Sequence, residues 1–282
     1  MTTDAIESAN GASMPRAPRL DPIGDARDWQ GNEIRCDDCR YRRLQLDQQC
    51  QFKHACVQDR YARRIDRFFA WNPSLANACI AHPYFEVRAV AAKYADVFCL
   101  PRLIDDVDDT VRWSAAQRLP VRYLLRLRDD ASREVRIRVA MRLDSTDLIP
   151  MMNDADYYVR KSVALRVAPY LLPFLTQDAE PEVRCVVAQR IGAEWLMPMS
   201  GDPDASVRLT VAERLAPHQL PWLKHDPDWR VRYEAVGRLG LEYLIDMHDD
   251  ADPMVRERVA QRWRGDAGVE PSESVALKET HL

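Results

Sequence analysis

Four cysteines crowd into one short stretch, Cys36, Cys39, Cys50 and Cys56, in the spacing C-x2-C-x10-C-x5-C. Four thiolates from one segment can close a tetrahedral shell around a single zinc, or hold the corners of an iron–sulfur cluster. A paired C-x2-C…C-x2-C would favour zinc, and a compact ferredoxin run would favour iron–sulfur. This spacing has neither form, so both metals stay open. His54 adds a further zinc possibility, C-x2-C-x10-C-x3-H, in which Cys56 is left out. The seven cysteines are odd in number, and the N-terminus lacks a hydrophobic secretory core. The missing secretory core makes a cytoplasm the default setting, where crowded cysteines read as metal ligands more than as disulfides.

Basic residues surround the quartet. Residues 35–67 hold nine Lys/Arg against five Asp/Glu, within a chain of net charge −4. Arg35, Arg40, Arg42, Arg43 and Lys53 lie among the ligands, as stabilising cations for a negatively charged cluster or as a solvated surface. The remaining cysteines, Cys79, Cys99 and Cys185, belong to another pattern and read as small apolar residues outside the site.

That pattern is a repeat. Val-Arg recurs at Val87, Val111, Val135, Val159, Val183, Val207, Val231 and Val255, always 24 residues apart. Strict periodicity of this length marks a solenoid of stacked units. With Val as position zero, positions 0, +4, +5 and +8 are apolar and form one helix face. Position −3 carries Asp108, Ser132, Asp156, Glu180, Asp204, Asp228 and Asp252, mostly good N-caps. Pro or Gly near +9 or +10 ends the helix. Leu then recurs at +13 and Leu or Met at +16, a spacing that predicts a tight 3₁₀ turn. Each unit is expected to be a short α-helix followed by a shorter 3₁₀-like helix. The expected order is a flexible leader over 1–30, a cysteine domain with a connecting helix over 31–71, repeats over 72–265 and a flexible tail over 266–282. The connecting helix is expected over residues 56–71.

Two arginine rows run through the repeats. Arg88, Arg112, Arg136, Arg160, Arg184, Arg208, Arg232 and Arg256 stand at +1, inside the apolar face, where each guanidinium needs a partner. Asp at −5 (Asp106, Asp130, Asp154, Asp178, Asp202, Asp226, Asp250) is the periodic candidate, and pairs such as Asp178–Arg184 and Asp202–Arg208 are expected within each turn. The second row, Arg118, Arg142, Arg166, Arg190, Arg214, Arg238 and Arg262 at +7, edges the face and is a solvated rim or a binding surface.

The cysteine quartet followed by 24-residue Val-Arg units, over roughly residues 31–265, resembles the leucine-rich repeat variant proteins that carry an N-terminal iron–sulfur domain. The resemblance implies an all-α fold, a right-handed superhelical solenoid of alternating α- and 3₁₀-helices. It implies a [4Fe–4S] cluster on Cys36, Cys39, Cys50 and Cys56, and a link to nitrogen-fixing bacteria.

The function classes narrow from here. No Gly-rich phosphate loop, HExxH motif or nucleophile elbow is present, so an enzyme is not expected. No apolar run approaches a membrane span. The expected role is a protein-interaction scaffold with a structural or oxygen- or iron-sensing cluster and an unidentified protein partner. The alternatives are an electron carrier docking through the solenoid and a nucleic-acid binder, the latter disfavoured by the mildly acidic repeats and the Asp-paired arginines.

Overall fold

The structure is a computed structural model and describes residues 24–267. It contains two compact units, Met1–Leu119 and Pro120–Leu282. Their boundary falls inside the second repeat, just after its α-helix Asp109–Ala116. Among the described residues the elements are helical, with two isolated β-bridges, Arg27 with Glu33 and Gln51 with Ala55.

The first unit starts earlier than a leader over 1–30 allows. Residues 1–23 lie outside the described residues, but residues 24–30 already make specific contacts. Ala26 is buried, and Trp29 stacks on Tyr84 with ring centroids 5.8 Å apart. Asp28 Oδ1 accepts the N–H groups of Gln30 and Asn32 at 2.9 and 2.8 Å, closing a turn through Gly31 at φ 89°. Glycine takes that left-handed conformation without a Cβ clash. The connecting helix is Ala62–Trp71, shorter than residues 56–71. Its start is delayed because Asp59 Oδ1 takes the Tyr61 N–H at 3.0 Å and holds a turn there. Ile65, Phe68 and Phe69 are fully buried, as their helical spacing requires.

Most repeats follow the expected plan, and in two the second segment is partly α-helical, as Val121–Leu124 before Leu125–Leu127 and as Leu196–Met199 after Ala193–Trp195. In the first unit, α-helix Phe85–Tyr94 leads to the 3₁₀ turn Leu100–Leu103. In the second, Tyr157–Ala164 leads to Pro169–Leu175, Ala205–Arg214 to Pro217–Leu223, and Trp229–Arg238 to Leu241–Tyr243 and Ile245–Met247. Every Val of the Val-Arg pairs is 0% exposed, and Leu at +13 is 0–1% exposed throughout. At +5 stand Ala92, Ala116, Ala140, Ala164, Ala188 and Ala212, all buried and small enough for neighbouring helices to approach closely. Asp108, Asp156, Asp204, Asp228 and Asp252 accept backbone N–H groups of the first helical turn. Ser132 and Glu180 make no such side-chain cap. The last helix, Pro253–Ala267, runs two residues past the expected end at 265, and the rest of the expected tail lies outside the described residues.

The +1 arginines Arg88, Arg136, Arg160, Arg184, Arg208 and Arg232 are structural, but their carboxylate comes from the following repeat and not from their own turn. Arg208 donates from Nε and Nη2 to Asp226 at 2.7 and 2.9 Å. Its Nη1 reaches the main-chain oxygens of Asp202 and Pro203 at 2.8 and 3.2 Å. The same fork joins Arg88 to Asp106, Arg136 to Asp154, Arg160 to Asp178, Arg184 to Asp202 and Arg232 to Asp250. The expected Asp178–Arg184 and Asp202–Arg208 side-chain pairs are thus replaced by bonds to carbonyls. The arginine stem spans from its own corner to the next, so one guanidinium cross-links two repeats. Burial alone would raise the Asp178 carboxyl, but the Arg160 hydrogen bonds, the Glu180 N–H and nearby arginine charge hold it below its ordinary value.

The +7 row is also used internally. Arg238 donates to the main-chain oxygens of Ala212, Glu213 and Leu215 at 3.0, 2.8 and 2.7 Å. Arg118 does so at Ala92 and Ala95, Arg166 at Leu143, Arg190 at Ala164, Arg214 at Ala188, and Arg262 at Val236 and Leu239. These carbonyls end the α-helix of the preceding repeat, where unsatisfied acceptors and the helix dipole favour a cation. The expected solvated rim is a row of C-terminal caps.

Candidate metal centre

The cysteine segment is a series of tight turns. The Cys39 N–H donates to Cys36 O at 3.3 Å, and the Arg42 N–H to Cys39 O at 2.9 Å, leading into helix Arg42–Leu46. Gln48, at φ 58°, turns the chain back so that the Gln49 and Cys50 N–H groups share Leu44 O at 2.7 and 3.1 Å. Lys53, at φ 60°, closes the Gln51–Ala55 bridge and delivers Cys56. Gln48 and Lys53 are the two non-glycine residues with positive φ among the described residues, and they flank Cys50 in the chain. Such conformations cost energy and persist where the surrounding structure enforces them.

The turns bring the four thiols within electrostatic reach of one another. Burial, then the Cys56 and Cys39 sulfurs, push the Cys36 thiol up. A hydrogen bond with Cys50, then burial, pushes Cys56 far above its ordinary value. The same bond lowers Cys50, against burial and the sulfurs of Cys39 and Cys36. Thiols so placed resist ionising together, and a bound cation would stabilise their thiolate forms. Cys39 Sγ accepts the Tyr41 N–H at 3.4 Å, the kind of bond that stabilises a ligating thiolate. Among the described residues, no three or more His, Cys, Asp or Glu side chains form a ready-made shell for a single metal ion. The donor set itself, four thiols in one electrostatic group, suits an iron–sulfur cluster, with Cys36, Cys39, Cys50 and Cys56 as its holders.

The alternative zinc ligand is engaged elsewhere. His54 Nδ1 lies 3.1 Å from Arg67 Nη1, and its ring lies 5.7 Å from that of Trp71. Cys56, which the zinc pattern omits, is inside the thiol group. Arg35, Arg40, Arg42 and Arg43 are exposed and Lys53 is half-buried. Arg42 pairs with Asp37 at 3.5 Å, and Arg40 lies over the Tyr41 ring. Of the two roles open to these cations, the solvated surface describes Arg35, Arg42 and Arg43. Cys79 is buried, with Sγ 3.6 Å from the Tyr41 hydroxyl, while Cys99 and Cys185 are half-buried in the repeats. Burial raises the Cys185 thiol.

Exposure is graded across the quartet. Cys56 is 5% exposed, whereas Cys36, Cys39 and Cys50 are half-buried. Cys39 lines an open cleft of about 310 Å³ together with Asp28, Glu33, Arg35, Arg40 and Gln58. Linked to Cys56 through the Arg64 main chain is a group that the sequence does not announce, the buried ion pair Asp59–Arg64 at 2.7 Å. Its sequence signal is slight, an Asp two residues ahead of a helix N-cap.

Residues 26–78 match the family model described as LRV protein FeS4 cluster, a span that contains all four cysteines. A solved structure, described as a leucine-rich repeat variant with a novel repetitive protein structural motif, is 43% identical, with a TM-score of 0.78. The match covers 81% of this chain and 98% of that one. The chain belongs to the leucine-rich repeat variant family. Its fold is the all-α solenoid of alternating α- and 3₁₀-helices, and its cysteine segment is of the iron–sulfur type found in that family. An uncharacterized 27.7 kDa protein in the nifB 3′ region of Rhodobacter capsulatus is 44% identical over 110 residues. That match covers 39% of this chain and 42% of the relative, so the chain spans less than half the length of that curated relative. No helix among the described residues is long and apolar enough to cross a membrane.

Proposed function

We propose that this protein is a non-enzymatic interaction scaffold whose [4Fe–4S] cluster, held by Cys36, Cys39, Cys50 and Cys56, senses oxygen or iron supply for a protein partner of the repeats. The graded exposure of the quartet carries this reading. Cys56 anchors one side in the core, while Cys39 borders an open cleft that a small oxidant can enter. When bound, the cluster supplies an oxygen-labile centre that ties four points of the segment together. The chain's own residues do the rest. The Tyr41 N–H steadies the Cys39 sulfur, and the turns at Gln48 and Lys53 hold Cys50 between its neighbours. Without a shared ligand, nothing but the chain itself holds the strained turns at Gln48 and Lys53 in place.

Both arginine rows bind carboxylates or carbonyls of the protein itself, which argues against a phosphate-binding stripe and supports a protein partner over nucleic acid. The nifB 3′ region named for the Rhodobacter relative supports an iron-linked, oxygen-poor setting. The test is to admit oxygen to anaerobically prepared protein while following visible absorbance, protease cleavage within residues 31–71 and retention of partners from matched extracts. Bleaching with faster cleavage and altered retention is expected. An air-stable cluster with unchanged retention contradicts sensing. Reversible reduction without bleaching points instead to electron transfer.

A further inference from the structure

The Asp59 and Arg64 side chains are 0% and 1% exposed, and Nη1 meets Oδ2 at 2.7 Å. Nothing in the 24-residue pattern calls for this pair, which precedes the repeats. Taking two charges out of water is costly, and packed apolar side chains of similar size would avoid the cost. A pair kept at such cost is worth asking what it positions. Its bonds run to the chain around Cys56. Arg64 Nη1 also donates to Asp25 O at 3.0 Å, and Asp59 Oδ1 accepts the Tyr61 N–H at 3.0 Å. The Arg64 main-chain oxygen accepts the N–H of Cys56 itself at 3.0 Å. Cys56 and Asp59 are therefore both pinned through Arg64 to the first turn of helix Ala62–Trp71, whose Ile65, Phe68 and Phe69 are fixed in the core.

We propose that Asp59 and Arg64 are positioning residues for Cys56 as a cluster ligand, an inference that rests on the iron–sulfur reading above. Cys56 is the most buried of the four sulfurs and the last in the chain, so its place depends on the loop that follows it. The pair is neutral overall, and its effect on the cluster is therefore through geometry more than through field. Outer partners that orient a ligand commonly change metal retention by about 10–100-fold when removed.

The test compares the anaerobically reconstituted full chain with the double variant Asp59→Leu/Arg64→Met, which removes both charges and leaves neither buried alone. Iron and sulfide per chain, the rate of iron release to a chelator and the electron paramagnetic resonance spectrum of the reduced protein are measured, with circular dichroism to follow the helices. The expected result is native helix content, iron release about 10-fold faster or more, and a shifted spectrum. Should the double variant not fold, Arg64→Lys keeps the charge, loses the planar guanidinium that bonds both Asp59 and Asp25 O, and is expected to give intermediate release. Wild-type release and spectrum in a folded variant overturn the positioning role. A wild-type protein that takes up no iron and sulfide overturns the iron–sulfur reading itself, whatever the variants do.

Discussion

Replacing Arg208 by Ala tests the offset by which the ladder joins each repeat to the next. Arg208 and Asp226 have side chains 10% and 4% exposed and meet through two bonds of 2.7 and 2.9 Å. Removing either partner strands the other in a mostly dry corner, at a cost of about 3–5 kcal/mol. Water reaching the Arg208 edge moves the expected value toward the lower end. Arg208→Ala also frees the Asp202 and Pro203 carbonyls. Because the pair bridges two repeats, its loss weakens the interface between them as well as the helix that carries it. Urea unfolding of the two single variants and of Arg208→Ala/Asp226→Asn should give a double change smaller than the sum by about 1–3 kcal/mol. The same cycle with Asp202→Asn should give clearly smaller coupling, since Asp202 offers Arg208 only a main-chain oxygen, which the substitution leaves in place. Strong coupling to Asp202 with none to Asp226 would refute the cross-repeat pairing.

Arg214→Ala should lower stability by about 1–3 kcal/mol through the lost charged cap on Ala188 O, as read from thermal unfolding; no change would return the +7 row to the solvent. Leu172→Ala or Leu196→Ala should cost about 2–5 kcal/mol in the same assay, while exposed Gln189→Ala should stay within about 0.5 kcal/mol. Replacing Cys79, Cys99 and Cys185 together by Ala should leave iron content unchanged, and a loss of iron would make one of them a ligand. The Arg232 hydrogen bonds hold the Asp250 carboxyl low, and Asp178 is likewise lowered. Carboxylates lowered in the folded state stabilise it above their unfolded value and lose that contribution as pH falls through the folded one. The unfolding midpoint should therefore drop as pH goes from about 4 toward 2, and a flat profile there would contradict the charged ladder.

The repeat was legible because its chemistry is local and periodic. Val at zero and Leu at +13 mark buried faces wherever they recur, so the α/3₁₀ alternation follows from one unit seen eight times. The partner of Arg208 was not legible. Asp202 and Asp226 sit at the same repeat position, and sequence spacing alone does not show whether a long arginine side chain folds back or reaches forward. The capping role of Arg214 and Arg238 was hidden for the same reason: their acceptors are main-chain oxygens, which leave no mark on side-chain identity. In the metal centre, the residue types pointed to candidate ligands, but irregular turns carry no period. The burial of Cys56, the diversion of His54 to Arg67 and the Asp59–Arg64 pair therefore appear only in three dimensions.

The most direct test of the iron–sulfur centre is iron, sulfide and zinc analysis with Mössbauer spectroscopy on anaerobically prepared protein, alongside Cys56→Ser and His54→Ala. About four iron and four sulfide per chain, lost or altered in Cys56→Ser and kept in His54→Ala, is the expected result. One zinc without sulfide, retained in Cys56→Ser and lost in His54→Ala, would contradict it.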